Sequence, residues 1–420
     1  MAQLMNDGQV VERILAHIDQ RTTDLGERTW REPVEHYRSQ ARLDTELRQV
    51  LRRTATPFCP SAALPGPGAY IAREAAGTPI LAVRGEDGRV RAFRNACRHR
   101  GLPVASGSGD PGSGVPGSGV PGSGVPGSSI PGSGIPGSGV AKSFVCGYHG
   151  WAYRLDGSLR HIPHEHGFPG LDKERHGLVP VQAVERHGMV FVTQDGTAAP
   201  DEALQQLANV ISPEQQLFAC TERTVAANWK IVLEGLIEGY HIRATHPETF
   251  LPYGFDNLNV VETFGRNSRV TYPFQRIEKL RGAAPQDLRV DGLLTYVYHL
   301  FPNAFITVLS RHTNVVALEP VALDCTKMVS YTLTNRGADQ QEMLREARRD
   351  AAFVGEKGAA EDRAVAAAIQ RGLASGANEA FTYGRFESAI VNFHGAMQAA
   401  FAPGAPQTAL TPEAALMPPA

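Results

Sequence analysis

Asn95-Ala-Cys97-Arg-His99-Arg100-Gly101 and Phe144-Val-Cys146-Gly-Tyr-His149-Gly150-Trp151 are the two stretches on which the reading of this chain turns. Each is a half-site of one cysteine and one histidine, C-x-H in the first and C-x-x-H in the second, closed by a glycine. Two thiolates and two imidazoles suit either a tetrahedral zinc ion or a [2Fe-2S] centre in which the thiolates hold one iron and the imidazoles the other. A single C-x-H arises easily by chance, whereas two half-sites with matching glycines do not. Short alternating segments surround them, Ile80 to Phe93 with Asp87-Gly88 and Trp151 to Leu159 with Asp156-Gly157. Asp-Gly between such segments is a hairpin signal, so the ligands are expected at the tips of β-hairpins.

Between the half-sites lies a repeat. Pro111 to Val140 is six tandem copies of PGSG[V/I], the fourth spelled PGSSI. Gly, Ser, Pro and one aliphatic residue per unit cannot build a packed core, so residues 111–140 read as a mobile surface loop of Pro-Gly turns, similar to the pentapeptide of elastin-like polymers. His99 and Cys146 are separated by 46 residues, and taking out the 30-residue repeat leaves 16. A tandem expansion at the tip of an exposed loop costs little. The run Gly112-Ser-Gly114-Val-Pro-Gly117 matches G-x-G-x-x-G, but no strand precedes it, Pro116 opposes a helix, and a tandem glycine repeat produces the pattern by arithmetic.

Downstream comes Asn228-Trp229-Lys230-Ile-Val-Leu-Glu234-Gly235-Leu-Ile-Glu238-Gly239-Tyr240-His241-Ile-Arg-Ala-Thr-His246-Pro247. The apolar spacing through Trp229, Val232, Leu233, Leu236 and Ile237 predicts a helix. His241 and His246, five apart, fall about 140° from each other around a continuous helix, too far to share a metal. Pro247 pushes His246 out of the helical region, which lets the chain turn it back toward His241. Two imidazoles and one carboxylate with open positions form the facial triad of non-heme Fe(II) oxygenases. The carboxylate must come from far along the chain: Glu361, Asp362, Glu379 and Glu387 are the candidates, and acidic pairs on an Ala-rich helix are more often solvent-facing charges.

The paired half-sites resemble the Rieske motif, C-x-H-R-G followed by C-x-x-H-G-W, and the downstream segment resembles the mononuclear-iron helix of Rieske non-heme iron oxygenases. On that resemblance Cys97 and Cys146 ligate one iron of a [2Fe-2S] cluster, His99 and His149 the other, and His241 and His246 ligate a mononuclear Fe(II). Glu361-Asp362 followed by Gln370-Arg371-Gly372-Leu373 resembles the family's E-D and Q-R-G-L pattern, which makes Asp362 the third ligand. Glu238 stands where the family most often has the Asp that joins a Rieske histidine of one subunit to an iron histidine of its neighbour, and Gly235 where Asn is usual. Glu at that position resembles the branch that oxidises quaternary-ammonium compounds such as carnitine.

The resemblance covers residues 55 to 400 and implies an α+β chain. Its parts are a helical segment over 1–54, a small all-β Rieske domain over 55–200, an α+β helix-grip-like catalytic domain over 201–402 with an antiparallel sheet in Gly292 to Asn335, and a disordered tail over 403–420. It further implies a homotrimer, an NAD(P)H-dependent reductase with or without a ferredoxin, and O2-dependent mono- or dioxygenation of an aromatic or quaternary-ammonium substrate. Tyr253, Phe255, Tyr296, Tyr298 and Phe305 are available for an aromatic cage around a cation. The competing readings are a Rieske electron-transfer protein and a zinc-binding module; neither needs His241, His246 and Asp362.

The composition agrees with a folded protein. Across 420 residues, 41 Lys plus Arg face 43 Asp plus Glu, which argues against a nucleic-acid binder. No apolar run spans a bilayer and the N-terminus lacks a leader pattern, so a cytoplasmic protein is expected. The 43 Gly and 29 Pro exceed ordinary usage, but 11 of those Gly and six of those Pro belong to the repeat. Of five cysteines, Cys59, Cys220 and Cys325 lack partners at ligand spacing and read as ordinary buried thiols.

Overall fold

The computed structural model describes residues 3–106, 137–196, 200–208, 210–284, 287–335 and 340–401. Two seven-stranded antiparallel sheets dominate it. The first runs, in spatial order, Thr56–Pro60, Met189–Thr193, Pro180–Arg186, Val90–Arg94, Thr78–Arg84, Ala69–Ala75 and Ser138–Val140. Asp87-Gly88 lies in the turn between Thr78–Arg84 and Val90–Arg94, and Gly88 takes φ +76°, a conformation open to glycine at no steric cost. A three-stranded sheet of Phe144–Val145, Ala152–Tyr153 and Leu159–His161 carries the second half-site, with Asp156-Gly157 at its turn.

The loop reading of residues 111–140 needs correction at its end. Ser138–Val140 is a strand paired with Ala69–Ile71, and Ser138 is buried. Gly137, at φ +73°, approaches the Ala72 carbonyl so closely that a Cβ would sit 2.2 Å from its oxygen. Sheet pairing with a waiting edge overrides the composition of the last repeat unit. Residues 111–136, with the rest of that reading, lie outside the described residues, as does the tail reading for 403–420.

The second sheet runs Leu217–Val225, Cys325–Thr334, His312–Ala322, Ala304–Val308, Leu294–Leu300, Asn267–Pro273 and Val260–Phe264. It therefore recruits three strands beyond the Gly292 to Asn335 stretch. The helices Ala359–Gly372 and Ser388–Phe401 follow it in the chain. The two large sheets meet through a buried ion pair, Arg73 to Glu319 at 2.5 Å, with Glu319 also accepting the Ala76 N–H at 2.8 Å. Losing one partner would strand a buried charge.

The N-terminal segment is not wholly helical. Helices Asp7–Gln20, Glu35–Arg38 and Gln40–Glu46 form, but Trp30–Pro33 is a strand paired with Ala380–Tyr383. Pro33 cannot continue a helix, and a partner hundreds of residues away satisfies the backbone. The metal-bearing segment differs as well. Its helix is Trp229–Glu234 and does not reach Ile237; a second, short helix is Ile242–Thr245. Gly239, where a Cβ would lie 2.3 Å from Asn259 Oδ1, lets the intervening chain pack against its neighbour. Among the described residues no helix is long and apolar enough to cross a membrane.

Candidate functional site

The two Cys/His half-sites fold as matching turns. Cys97 N–H donates to Leu102 O and Gly101 N–H to Cys97 O; likewise Cys146 N–H donates to Trp151 O and Gly150 N–H to Cys146 O, all at 2.8–2.9 Å. Gly101 and Gly150 close the turns at φ +80° and +74°. The structure brings all four predicted residues together. His99 Nδ1 and His149 Nδ1 are 3.1 Å apart, and the His99 ring stacks on Trp151. Both thiols are free and buried, while His149 is exposed. The Cys97 Sγ lies 3.2 Å from the Tyr153 hydroxyl, and the Tyr148 and His149 backbone N–H groups donate to Cys146, whose thiol burial otherwise holds above its ordinary range. Two buried sulfurs with donors aimed at them, and two imidazole nitrogens converging at the surface, fit a Rieske-type cluster.

The remaining cysteines separate by burial. Cys59 and Cys220 are buried and their thiols are pushed up to about 12, mainly by desolvation, so both are inert. Cys325 is only half-buried, at the start of a strand, which corrects its reading as a buried thiol.

His241, His246 and Asp362 also come together: one ligand atom from each lies within 4.8 Å of the others. The geometry differs from two histidines on one helix, because His241 precedes and His246 ends the short helix Ile242–Thr245, with His246 at φ −119°. Their rings are 5.1 Å apart. His246 Nε2 is 2.8 Å from Asp362 Oδ1, yet it is buried and makes no hydrogen bond, so the two atoms converge on a common point rather than on each other. A buried nitrogen without a partner is costly unless something binds there. That orphaned atom, beside an imidazole and a carboxylate, fits a divalent iron.

Outer carboxylates orient both rings. Glu238 Oε1 accepts from His241 Nδ1 in a very short contact, and its Oε2 accepts the His241 backbone N–H at 3.2 Å. Glu361 Oε2 accepts from His246 Nδ1 and from the Thr249 hydroxyl, both at 2.6 Å. Sequence reasoning weighed Glu361 as a ligand or a solvent-facing charge; its role as the partner of His246 went unseen. Each acceptor keeps the proton on Nδ1 and turns Nε2 inward. Glu379 is exposed, and Glu387 caps the Gly384 N–H, so neither joins the triad.

The triad faces a cavity of about 760 Å³. Its floor is the second sheet, and Phe250, Tyr253, Phe255 and Phe305 are among its lining rings. Tyr296 and Tyr298, the other cage candidates, belong elsewhere: Tyr296 donates to Asp7, and both rings lie under the Arg269 guanidinium. Phe250 packs on His246 at 4.6 Å. A second cavity of about 510 Å³ shares Glu238, His241 and Asp362 with the first and adds Glu234, Tyr383 and Glu387. Burial, reinforced by Glu238 and Glu234, pushes Glu387 up to about 7. Arg363, next to Asp362, is held below its ordinary value by partial burial and by the Arg223 guanidinium.

Two family models match this chain. The model for the ring hydroxylating alpha subunit (catalytic domain) matches residues 200–402, and that for the Rieske [2Fe-2S] domain matches residues 54–115, stopping inside the repeat. The oxygenase subunit of carnitine monooxygenase from Acinetobacter pittii is 30% identical over 52% of this chain and 53% of its own length. The glycine betaine monooxygenase oxygenase subunit of Pseudomonas aeruginosa is 27% identical over 51% and 44%. The match thus spans about half the length of these curated relatives. A solved quaternary ammonium Rieske monooxygenase superposes with a TM-score of 0.70 at 21% identity, covering 89% of this chain and 96% of that one. Naphthalene 1,2-dioxygenase from Rhodococcus sp. gives 0.69 at 17%, covering 95% and 98%. At these identities the superpositions speak to the fold.

Proposed function

The chain belongs to the Rieske oxygenase alpha-subunit family, and on that premise we propose that it is a terminal oxygenase that uses O2 to hydroxylate or oxidatively demethylate an organic substrate. The observation that carries this reading is the open triad: His246 Nε2 is buried beside Asp362, makes no hydrogen bond, and faces a cavity large enough for a small substrate. A pure electron carrier or a zinc module has no use for it.

Cys97, Cys146, His99 and His149 would hold the cluster, and His241, His246 and Asp362 the iron. When bound, the cluster supplies a one-electron carrier and the Fe(II) a centre at which O2 is reductively activated. The chain's own residues prepare that chemistry. Glu238 and Glu361 hold the two imidazoles with their Nε2 atoms inward. Phe250 and the sheet floor exclude water, and the lining rings present an apolar surface to the substrate. Of the two substrate classes, quaternary ammonium is favoured over aromatic by Glu238 and by the likeness to carnitine and glycine betaine monooxygenases; Phe250, Tyr253, Phe255 and Phe305 can offer a cation their π-faces.

Glu238 also supports a head-to-tail homotrimer, since the acid that already holds His241 would accept a histidine N–H from the neighbouring subunit's cluster. Electrons would come from NAD(P)H through a separate reductase, directly or by a ferredoxin, in the cytoplasm. The test is reconstitution with iron and sulfide, an absorption spectrum, and substrate screening with a surrogate reductase while product and oxygen uptake are followed. A Rieske spectrum with substrate-dependent product is expected; colourless zinc protein would overturn the reading.

A further inference from the structure

A chain of acids and imidazoles runs from the protein surface to the second cavity. His36 Nδ1 lies 2.5 Å from Glu32 Oε1, and the His36 side chain is 28% exposed. Glu32 Oε2 lies 3.3 Å from His394 Nδ1, and His394 Nε2 lies 3.0 Å from Glu234 Oε1. Glu234 in turn accepts from the Tyr37 hydroxyl at 2.6 Å and from the Tyr383 hydroxyl at 2.8 Å. The acids and imidazoles come from distant parts of the chain: Trp30–Pro33, Glu35–Arg38, the end of Trp229–Glu234, and Ser388–Phe401. Glu32, Glu234 and His394 are buried. Glu32 and His36 lie outside the residues that either family model matches.

Donor counting sets this cluster apart from a structural clamp. His394 faces a carboxylate at each ring nitrogen, whereas a neutral imidazole has one N–H to give. Both contacts are satisfied only when a further proton is held between the ring and its acids. Burial pushes Glu32 up, yet the His394 and His36 rings and the Trp30 indole N–H at 2.9 Å hold it below its ordinary value. Glu32 therefore keeps a proton on His394 Nδ1, and the proton at Nε2 is the one free to move. Burial and the Glu234 carboxylate hold both Tyr37 and Tyr383 above the ordinary phenol range, so they donate to Glu234 without releasing their own protons. The other titratable groups that act on Glu234 are Lys230, on the same helix, and Glu387. Glu234 and Tyr383 line the 510 Å³ cavity whose wall includes Glu238, His241 and Asp362, so a proton leaving Glu234 enters the space that the iron ligands border.

The reaction sets the demand. Hydroxylation of R–H by O2 takes up two electrons and two protons: the O–O bond and one C–H bond break, and the products are R–OH and water. The reductase provides the electrons, and the protons come from the protein or solvent. We propose that His394, clamped by Glu32, and Glu234 form a proton store that delivers one of the two protons of each turnover into the second cavity. This rests on the oxygenase reading and adds to it. His394 passes its Nε2 proton to Glu234 Oε1, and Glu234 releases a proton into the cavity. After the product has formed, a proton from solvent returns to Glu234 and then to Nε2, which restores the starting state.

Histidine-selective 15N NMR of the full-length, metal-free protein reads the store without turnover. His394 Nδ1 is expected to stay protonated while the Nε2 signal moves with pH, and Glu234→Gln should stop that movement over the same range. An Nε2 signal that stays still from about pH 5 to 9 in the unaltered protein would overturn the proposal. With both metals loaded, single-turnover product formation in Glu234→Gln and in His394→Gln is expected to fall about tenfold or more. The solvent isotope effect should grow, and added imidazole, as a small proton donor, should restore part of the rate. Cluster absorbance, Fe(II) content and substrate binding are expected to be unchanged in Glu234→Gln, whose amide oxygen still accepts from both tyrosines; Glu234→Asp should recover part of the rate. Where Glu234→Gln does not fold, Glu32→Gln gives the same reading by loosening the clamp on Nδ1. Rates and isotope effects equal to the parent in both Glu234→Gln and His394→Gln would overturn the store. A mobile Nε2 proton in a protein that forms no oxygen-dependent product would overturn the oxygenase reading and the supply role with it. Product formation with an immobile Nε2 proton would overturn the store alone.

Discussion

Replacing Glu361 by alanine tests the orientation of the iron ligands most directly. Glu361 Oε2 accepts from His246 Nδ1 and from Thr249, each at 2.6 Å, so the substitution removes the carboxylate that, among the described residues, holds that ring's proton on Nδ1. Without it the neutral imidazole is free to carry its proton on Nε2, the atom that must be bare to bind metal. Outer partners of this kind are worth roughly 10–100-fold in metal affinity, or about 1.4–2.7 kcal/mol. The Glu361 side chain is 34% exposed, where solvent screens part of the interaction, so about tenfold weaker Fe(II) binding is expected. Glu361→Gln keeps an uncharged acceptor and should fall between the two. Anaerobic Fe(II) titration against a competing chelator reads the affinity, with Asp362→Ala as the variant that removes a ligand outright. Fe(II) binding by Glu361→Ala within twofold of the parent would show that Glu361 does not orient His246.

Glu238→Ala should weaken Fe(II) binding as Glu361→Ala does, and with Fe(II) in excess so that both metals are bound it should break their coupling, so that the cluster is still reduced while substrate turnover collapses; unchanged turnover would sink the bridging role. Glu387 is pushed up to about 7, above its ordinary 4.5, so the folded state holds that proton more tightly than the unfolded chain. Stability is therefore lost as pH rises from about 4.5 to 7, and the full penalty remains above that range. Glu387→Gln should raise stability by about 1–2 kcal/mol at pH 8, after discounting for partial exposure, and by almost nothing at pH 4. An equal shift in Tm at both pH values would contradict this. Deleting residues 111–135 should leave the cluster spectrum intact and alter stability only slightly, since each halving of a loop changes closure by about 0.6 kcal/mol. Loss of the cluster on deletion would show that the repeat does more than connect.

Some of this was readable in order along the chain because the chemistry demands short range. A turn that aims a thiol and an imidazole at one two-iron cluster needs its residues two or three apart and a glycine to close it, so Cys97, His99, Cys146 and His149 stand out once the repeat is discounted. His241 and His246 were visible for the same reason, but the path between them was not. Helical periodicity runs on to Ile237, whereas the helix ends at Glu234 and Gly239 then packs closely on Asn259, a residue that local spacing does not announce.

The sequence by itself determined the family, the α+β composition of its sheets and helices, and the residue types able to hold two metals, since those depend on local pattern and spacing. Tertiary structure alone decided which acid does what. Asp362 joins His241 and His246, Glu361 turns to His246 Nδ1, and Glu387 closes a turn, although all three are equally acidic on paper. It also decided that Ser138–Val140 and Trp30–Pro33 become strands, that Tyr296 and Tyr298 lie outside the 760 Å³ cavity, and that residues from Phe218 to Arg363 line it. The reason is common to all of these: a side chain's role depends on which distant backbone it is pressed against, and contact between residues a hundred or more apart leaves no periodic trace in the chain.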